Sequence, residues 1–274
     1  MKTILDEILA DVRVEVAAAK QAVPLAEIRA RLPDAPPARD FAEALGRGGF
    51  GLIAEIKRRS PSVGPMRKEN VDAAAATYAA SSHVRAVSIL TNRTHFGMGV
   101  EDLARLRAAL PQPVLRKDFF IDDYQILEAR AHGADAILLM ANVLDATQLR
   151  DFHQLALELG MEALFEIHTL DEIALLPKSA RVVGINSRKF KSTSGFVGST
   201  GSSQKDFSLE MSVFDLVTHL PAGCLRVAES GLAPETIASV SSKFDAALVG
   251  TSSSATRVAS PPASPISRER SKPT

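Results

Sequence analysis

Residues 51–64 read GLIAEIKRRSPSVG, a short apolar run interrupted by one acid and one base before it breaks into a polar turn. Successive side chains of a strand alternate faces, so Ile53, Glu55 and Lys57 share one side while Leu52, Ala54 and Ile56 share the other. The apolar side suits packing beneath a helix. The other side brings a carboxylate and an ammonium together at the strand's end, where their desolvation is costly unless they pair or face a wet cavity. An active-site floor has this pattern.

Outward from this strand, β-rich runs at 52–57, 86–91, 114–117, 136–140, 163–167, 182–186, 225–230 and 246–250 alternate with segments of helical period such as 100–110, 123–132 and 146–159. Such alternation predicts parallel strands joined by right-handed crossovers, and eight of them close into a (β/α)8 TIM barrel, an α/β fold. The competing doubly wound sheet lacks support, because no GxGxxG turn follows the first strand. With 274 residues and 46% hydrophobic content, the chain has the size of a one-domain barrel. The expected division is an N-terminal helical extension over 1–50, the barrel over 51–251 and an atypical tail over 252–274.

In the extension, Ile4, Ile8, Val12 and Val16 recur four apart with Leu5 and Leu9 beside them, which predicts an amphipathic helix over 2–20. Pro33, Pro36 and Pro37 mark a linker, and a short helix over 40–45 follows, with Asp40 placed to cap it. Two segments do not fit the barrel. Residues 192–206, rich in Ser and Gly, are expected to form a flexible loop after the sixth strand, dangling rather than acting as a lid. The tail has Ser-Pro and Pro-Pro breaks and no apolar stripe, so it is expected to be disordered and to leave the eighth helix in doubt. A barrel with that wall uncovered would lose about 5 to 10 kcal/mol and tend to self-associate.

Composition excludes several functions. Lys and Arg total 32 against 32 acids, giving zero formal net charge and no basic footprint for nucleic acid. The single cysteine, Cys224, excludes an internal disulfide, and no Cys/His cluster has zinc-ligand spacing. The first twenty residues carry acids among the apolar positions, so they read as neither signal peptide nor membrane span, and a cytoplasmic enzyme is expected.

A TIM barrel carries its site at the C-terminal ends of its strands. The polar residues there are Glu55 and Lys57 on strand one, Lys117 on strand three, Glu166 on strand five, Asn186 with Arg188 beyond it on strand six, and Glu229 and Ser230 on strand seven. So many charges converging on one mouth favour a catalytic cluster, because Lys and Glu are rarely buried unless paired. The histidines at 83, 95, 132, 153, 168 and 219 share no spacing and receive no role.

The string IAEIKRRSPS resembles the first barrel strand of the indole-3-glycerol-phosphate synthase family. The likeness continues in order through VSILTNRTHFG, PVLRKDFFIDDYQILEARAHGADAILLM, ALFEIHT, VGINSR and VAESG, up to about Gly250. It implies a carboxy-lyase of tryptophan biosynthesis that needs no cofactor. Its substrate would be 1-(2-carboxyphenylamino)-1-deoxyribulose 5-phosphate, with ring closure onto the ketone carbon followed by loss of carbon dioxide and water. By this likeness Lys117 matches the acid and Glu166 the base, while Lys57 matches the grip on the substrate carboxylate and is available as a second acid. Glu55 would orient Lys57, and Asn186 and Glu229 would hold hydroxyls and the lysines. Asp118 either partners Lys117 or caps the turn.

Phosphate would meet Ser230, Gly231, Gly250 and Thr251, with Ser60 and Arg188 adding donors; glycines that only turn the chain are the alternative. Phe96 lines the slot for the aromatic ring or belongs to the core. The family's N-terminal extension lies across the barrel, though a helix packed on its outside fits the residues as well. A monomer is expected, acting on this small molecule without nucleic acid or membrane. Other readings are a phosphosugar isomerase, disfavoured because the first strand carries Glu/Lys rather than an Asp or Cys pair, and an inactive barrel that retains only binding.

Overall fold

The computed structural model describes residues 3–60, 64–65, 70–190 and 207–250. The loop predicted over 192–206, the tail over 252–274 and Thr251 all lie outside them.

Eight strands form one closed barrel: β1 (Gly51–Ile56), β2 (Val84–Leu90), β3 (Val114–Lys117), β4 (Ala136–Met140), β5 (Glu162–Ile167), β6 (Val182–Asn186), β7 (Leu225–Glu229) and β8 (Ala246–Gly250). Each pairs in parallel with its neighbours in chain order, and β8 closes against β1. Each sequence-predicted strand is present, with ends displaced by at most two residues.

The alternation read from residues 51–64 holds. Leu52, Ala54 and Ile56 join the outer apolar layer beneath the helices, whereas Ile53 joins the barrel interior with Ala86, Leu115, Ala136, Leu164, Val182, Val227 and Ala246. The outer layer is covered by α4 (Asn70–Ala80), α6 (Val100–Ala109), α7 (Asp123–Ala131), α8 (Ala146–Glu158) and α10 (Pro234–Val240), with short turns α5 (Arg93–Phe96) and α9 (Leu170–Ile173) between. A 3-10 helix, Met211–His219, occupies the position of the helix after β6.

Before the barrel come α1 (Ile4–Ala22), α2 (Leu25–Arg31) and α3 (Phe41–Gly46). Thr3 and Asp6 close a capping box at the start of α1. Asp40 caps α3 as predicted, accepting from the Glu43 N–H at 2.8 Å. Phe41 and Leu45 of α3 pack into the interior cluster, and Gly46 lies beside Leu225 at the entry to β7, so α3 closes the bottom of the barrel.

At the other end, the buried stripe Ile4, Ile8, Val12 and Val16 joins the same interior cluster, which also takes in Phe119, Met140 and Leu248. Polar contacts fix its course. Asp11 pairs with His95, Glu15 accepts from Asn92 and Thr94, and Lys20 meets Asp122 at 2.6 Å. These partners lie on the loops that follow β2 and β3. The first helix therefore crosses the mouth and ends on α7, where the Tyr124 hydroxyl donates to the Ala19 and Val23 carbonyls.

Candidate active site

Lys117 ends β3 with its side chain inward, and its Nζ lies 3.0 Å from Glu166 Oε2 and 3.0 Å from Glu229 Oε2. The two acids come from β5 and β7, which flank β6. Residue 184 of β6 lies in register with Glu166, and it is a glycine. A Cβ there would stand 2.0 Å from Glu229 Oε1, so the missing side chain is what lets the two carboxylates meet over one ammonium.

The Glu55–Lys57 pair stands at the end of β1, with 2.5 Å between Lys57 Nζ and Glu55 Oε1. A glycine again makes the room: Gly250 is in register with Glu55, and a Cβ on it would lie 3.2 Å from Glu55 Oε1 and 3.5 Å from Lys57 Nζ. Gly250 thus houses this pair.

Burial and charge act against each other here. Burial disfavours an ammonium, yet the fields of Glu166, Glu229 and Glu55 outweigh it and hold Lys117 charged, well above its ordinary value. Burial also opposes ionisation of Glu166, but Lys117 and His168 overcome it and lower that group to about 2. Glu229 goes the other way. Burial, helped by the Glu166 charge and only partly offset by Lys117, raises it to about 7. Their surroundings thus push the two acids apart, Glu166 toward the ionised form and Glu229 toward the protonated one. Glu55, disfavoured by burial, is nonetheless held low by Lys57, Lys117 and Arg188.

At the end of β6, Asn186 is buried and its Oδ1 accepts from the Arg188 N–H at 3.0 Å. Arg188 is half-buried, and its charge reaches Glu55. After β7, Ser230 and Gly231 both have φ of 66°. Ser230 is the one non-glycine residue with positive φ among those described, an uncommon conformation that concentrates at functional turns. A Cβ on Gly231 would lie 3.2 Å from Leu209 Cδ1 and from Ser187 Oγ, so glycine fits both the turn and the space. Phe96 is half-buried against the interior cluster beneath α1. Ser60 lies in a two-residue strand, Arg59–Ser60, beyond β1.

Of the two readings of Asp118, the turn cap holds. Asp118 does not touch Lys117; it caps its own turn through the Phe119 N–H, pairs with Arg116 at 3.0 Å and accepts from Thr91 at 2.7 Å. Residues 116 and 118 share a face opposite 117, so the same alternation that aims Lys117 inward sends Asp118 outward. Sequence reasoning also passed over His168, whose Nε2 stands 3.5 Å from Glu166 Oε1. The available signal was its spacing of two from Glu166.

The sequence matches the family profile of indole-3-glycerol phosphate synthase over residues 5–258. The chain belongs to the indole-3-glycerol phosphate synthase family. It is 40% identical over 237 residues to the indole-3-glycerol phosphate synthase of Paenarthrobacter aurescens (strain TC1), covering 84% of this chain and 82% of the relative. With that of Mycolicibacterium smegmatis (strain ATCC 700084 / mc(2)155) it shares 38% identity over 252 residues, covering 90% and 88%. Family membership makes the chain a carboxy-lyase of tryptophan biosynthesis.

Solved structures support the fold alone. A 3-hexulose-6-phosphate synthase superposes with a TM-score of 0.53 at 13% identity, covering 77% of this chain and 96% of that one. A chain of the tryptophan synthase complex from Pyrococcus furiosus gives 0.51 at 14%, covering 74% and 88%.

Proposed function

We propose that the mouth closes the indole ring of 1-(2-carboxyphenylamino)-1-deoxyribulose 5-phosphate, with Lys117 as the acid. The observation that carries this is the Lys117 ammonium suspended between two buried carboxylates at 3.0 Å each. Ring closure turns the ketone oxygen into an alkoxide. A charged donor already fixed in a dry site stabilises that oxygen without reorganising. Once Lys117 turns to the substrate oxygen, Glu166 loses its closest positive neighbour and recovers basicity. It then takes the ring proton that must leave during dehydration.

Lys57, held by Glu55, grips the substrate carboxylate until carbon dioxide departs and serves as the acid for the leaving hydroxyl. Glu229 and Asn186 hold Lys117 and the substrate hydroxyls. Phe96 and α1 wall the aromatic ring from water. The phosphate lies at Ser230, Gly231, Gly250 and Thr251, with Ser60 and Arg188 beside it. The positive φ at Ser230 and Gly231 supports this, since such uncommon backbone concentrates at ligand sites and glycine lets a ligand approach the chain closely.

The enzyme acts as a cytoplasmic monomer. In support, no described helix is long and apolar enough to cross a membrane, and a closed barrel offers no free strand edge for pairing. The test is to supply the substrate to the purified chain and follow indole fluorescence together with carbon dioxide. Equal amounts of indole-3-glycerol phosphate and carbon dioxide are expected. Isomerisation without gas, or binding without turnover, would favour the alternatives.

A further inference from the structure

His168 follows β5 two residues after Glu166, so both side chains point to the mouth. Its ring stands between two carboxylates. Nε2 is 3.5 Å from Glu166 Oε1, and Nδ1 is 3.5 Å from Glu172 Oε2. Glu172, in the first turn of α9, also accepts from the His168 backbone N–H at 2.6 Å. One carboxylate thus holds the residue by backbone and ring together. The side chains of Glu166, His168 and Glu172 keep only 2%, 10% and 13% of their exposure. Glu166 is consequently held from both ends, Oε2 by Lys117 and Oε1 by His168.

From this geometry, we propose that His168, clamped by Glu172, is a positioning residue that holds Glu166 ionised and aimed while Lys117 leaves it for the substrate. The inference rests on the reading of Glu166 as the base. When the ammonium moves away, a buried carboxylate without other support would take up a proton or swing. An imidazolium behind it opposes both. The charged groups facing His168 are Glu166 on its own strand, Glu172 from α9 and Glu229 from β7. Burial alone would neutralise the ring, but these acids outweigh it and raise its pKa above the ordinary histidine value. Glu166 in turn draws part of its low pKa from His168.

The test compares H168Q and E172Q with the parent enzyme. For H168Q, kcat should fall about tenfold or more with KM within about threefold, because the group lost acts on the base and not on the substrate. The acid limb of the kcat profile should move up by about one pH unit, since Glu166 loses a positive neighbour. E172Q should shift the limb in the same direction by less. A merely structural role would lower the folded fraction without moving the limb.

Unchanged turnover and profile in both variants would overturn the proposal, as would a rise in KM alone. Should H168Q fail to fold, E172Q and the ring 15N shifts of His168 in the parent protein decide. A ring charged at pH 7 is expected, and a neutral ring would overturn the clamp. E166Q separates the two levels of inference. If it retains full turnover, the base assignment falls, while the 15N result still judges the clamp.

Discussion

The carboxylate of Glu229 lies directly over the backbone of Gly184, where a Cβ would come within 2.0 Å of its Oε1. Gly184 sits on the strand between those that supply Glu166 and Glu229, so this contact decides whether both acids can reach Lys117. Replacing Gly184 by Ala should displace Glu229 and drop turnover by about 10²-fold, the usual cost of moving a catalytic constellation by an ångström. Stability should fall by about 1 to 3 kcal/mol from overpacking. In an E229A background the same substitution should cost much less, because the clashing carboxylate is gone and only Leu164 Cδ1, 3.3 Å from the added Cβ, stays close. A double-mutant cycle by denaturant titration measures this; equal costs in both backgrounds would contradict it.

The raised pKa of Glu229 makes a stability prediction with a definite sign. Its folded value of about 7 exceeds its ordinary 4.5, so the folded protein holds that proton more tightly than the unfolded chain. The resulting stabilisation is complete below pH 4.5 and lost as pH rises through 7. Glu166, held down to about 2, behaves oppositely: its contribution is complete above pH 4.5 and lost as pH falls from there through 2. E229Q, which does not titrate, should therefore show a flatter stability between pH 4.5 and 7 than the parent, by about 3 kcal/mol at most. Denaturation midpoints across that range provide the comparison.

The hold on α1 predicts a split between binding and chemistry. Glu15 accepts from the Asn92 amide at 3.0 Å and the Thr94 hydroxyl at 2.5 Å, and Asn92 is only 1% exposed. E15A leaves that buried amide without its acceptor, a loss of about 1 to 3 kcal/mol. The helix then lies less firmly on the mouth. KM should rise about tenfold with kcat within about threefold, as steady-state kinetics would show. A fall in kcat with KM constant would mean that α1 takes part in chemistry.

Much of this was legible in the sequence because period-two alternation is a strong local signal. It placed Glu55 and Lys57 inward on β1, Leu52, Ala54 and Ile56 outward, and the acids of β5 and β7 at the mouth. The resemblance supplied roles that alternation cannot. What stayed hidden depends on partners distant in sequence. Arg116 captures Asp118 together with Glu128 of α7, a pairing invisible until β3 and α7 pack. Gly184 reads as an ordinary small residue and Gly250 as a phosphate contact, because the space each leaves for a neighbouring strand's side chain shows only once the strands pair. His168 shares no spacing with the other histidines, and its one local signal is the acid two residues earlier. The placement of α1 across the mouth was open, since an apolar stripe does not say which end of a barrel it covers.

The central claim is that Lys117 delivers the proton, and K117A tests it most directly. The measurements are kcat by indole fluorescence and substrate affinity by calorimetry, on protein whose fold is checked by circular dichroism. Turnover should fall by at least about 10³-fold while affinity stays within about tenfold, because the interaction lost belongs to the transition state. A K117A enzyme with near-normal turnover would contradict the account and remove the ammonium between Glu166 and Glu229 from the chemistry.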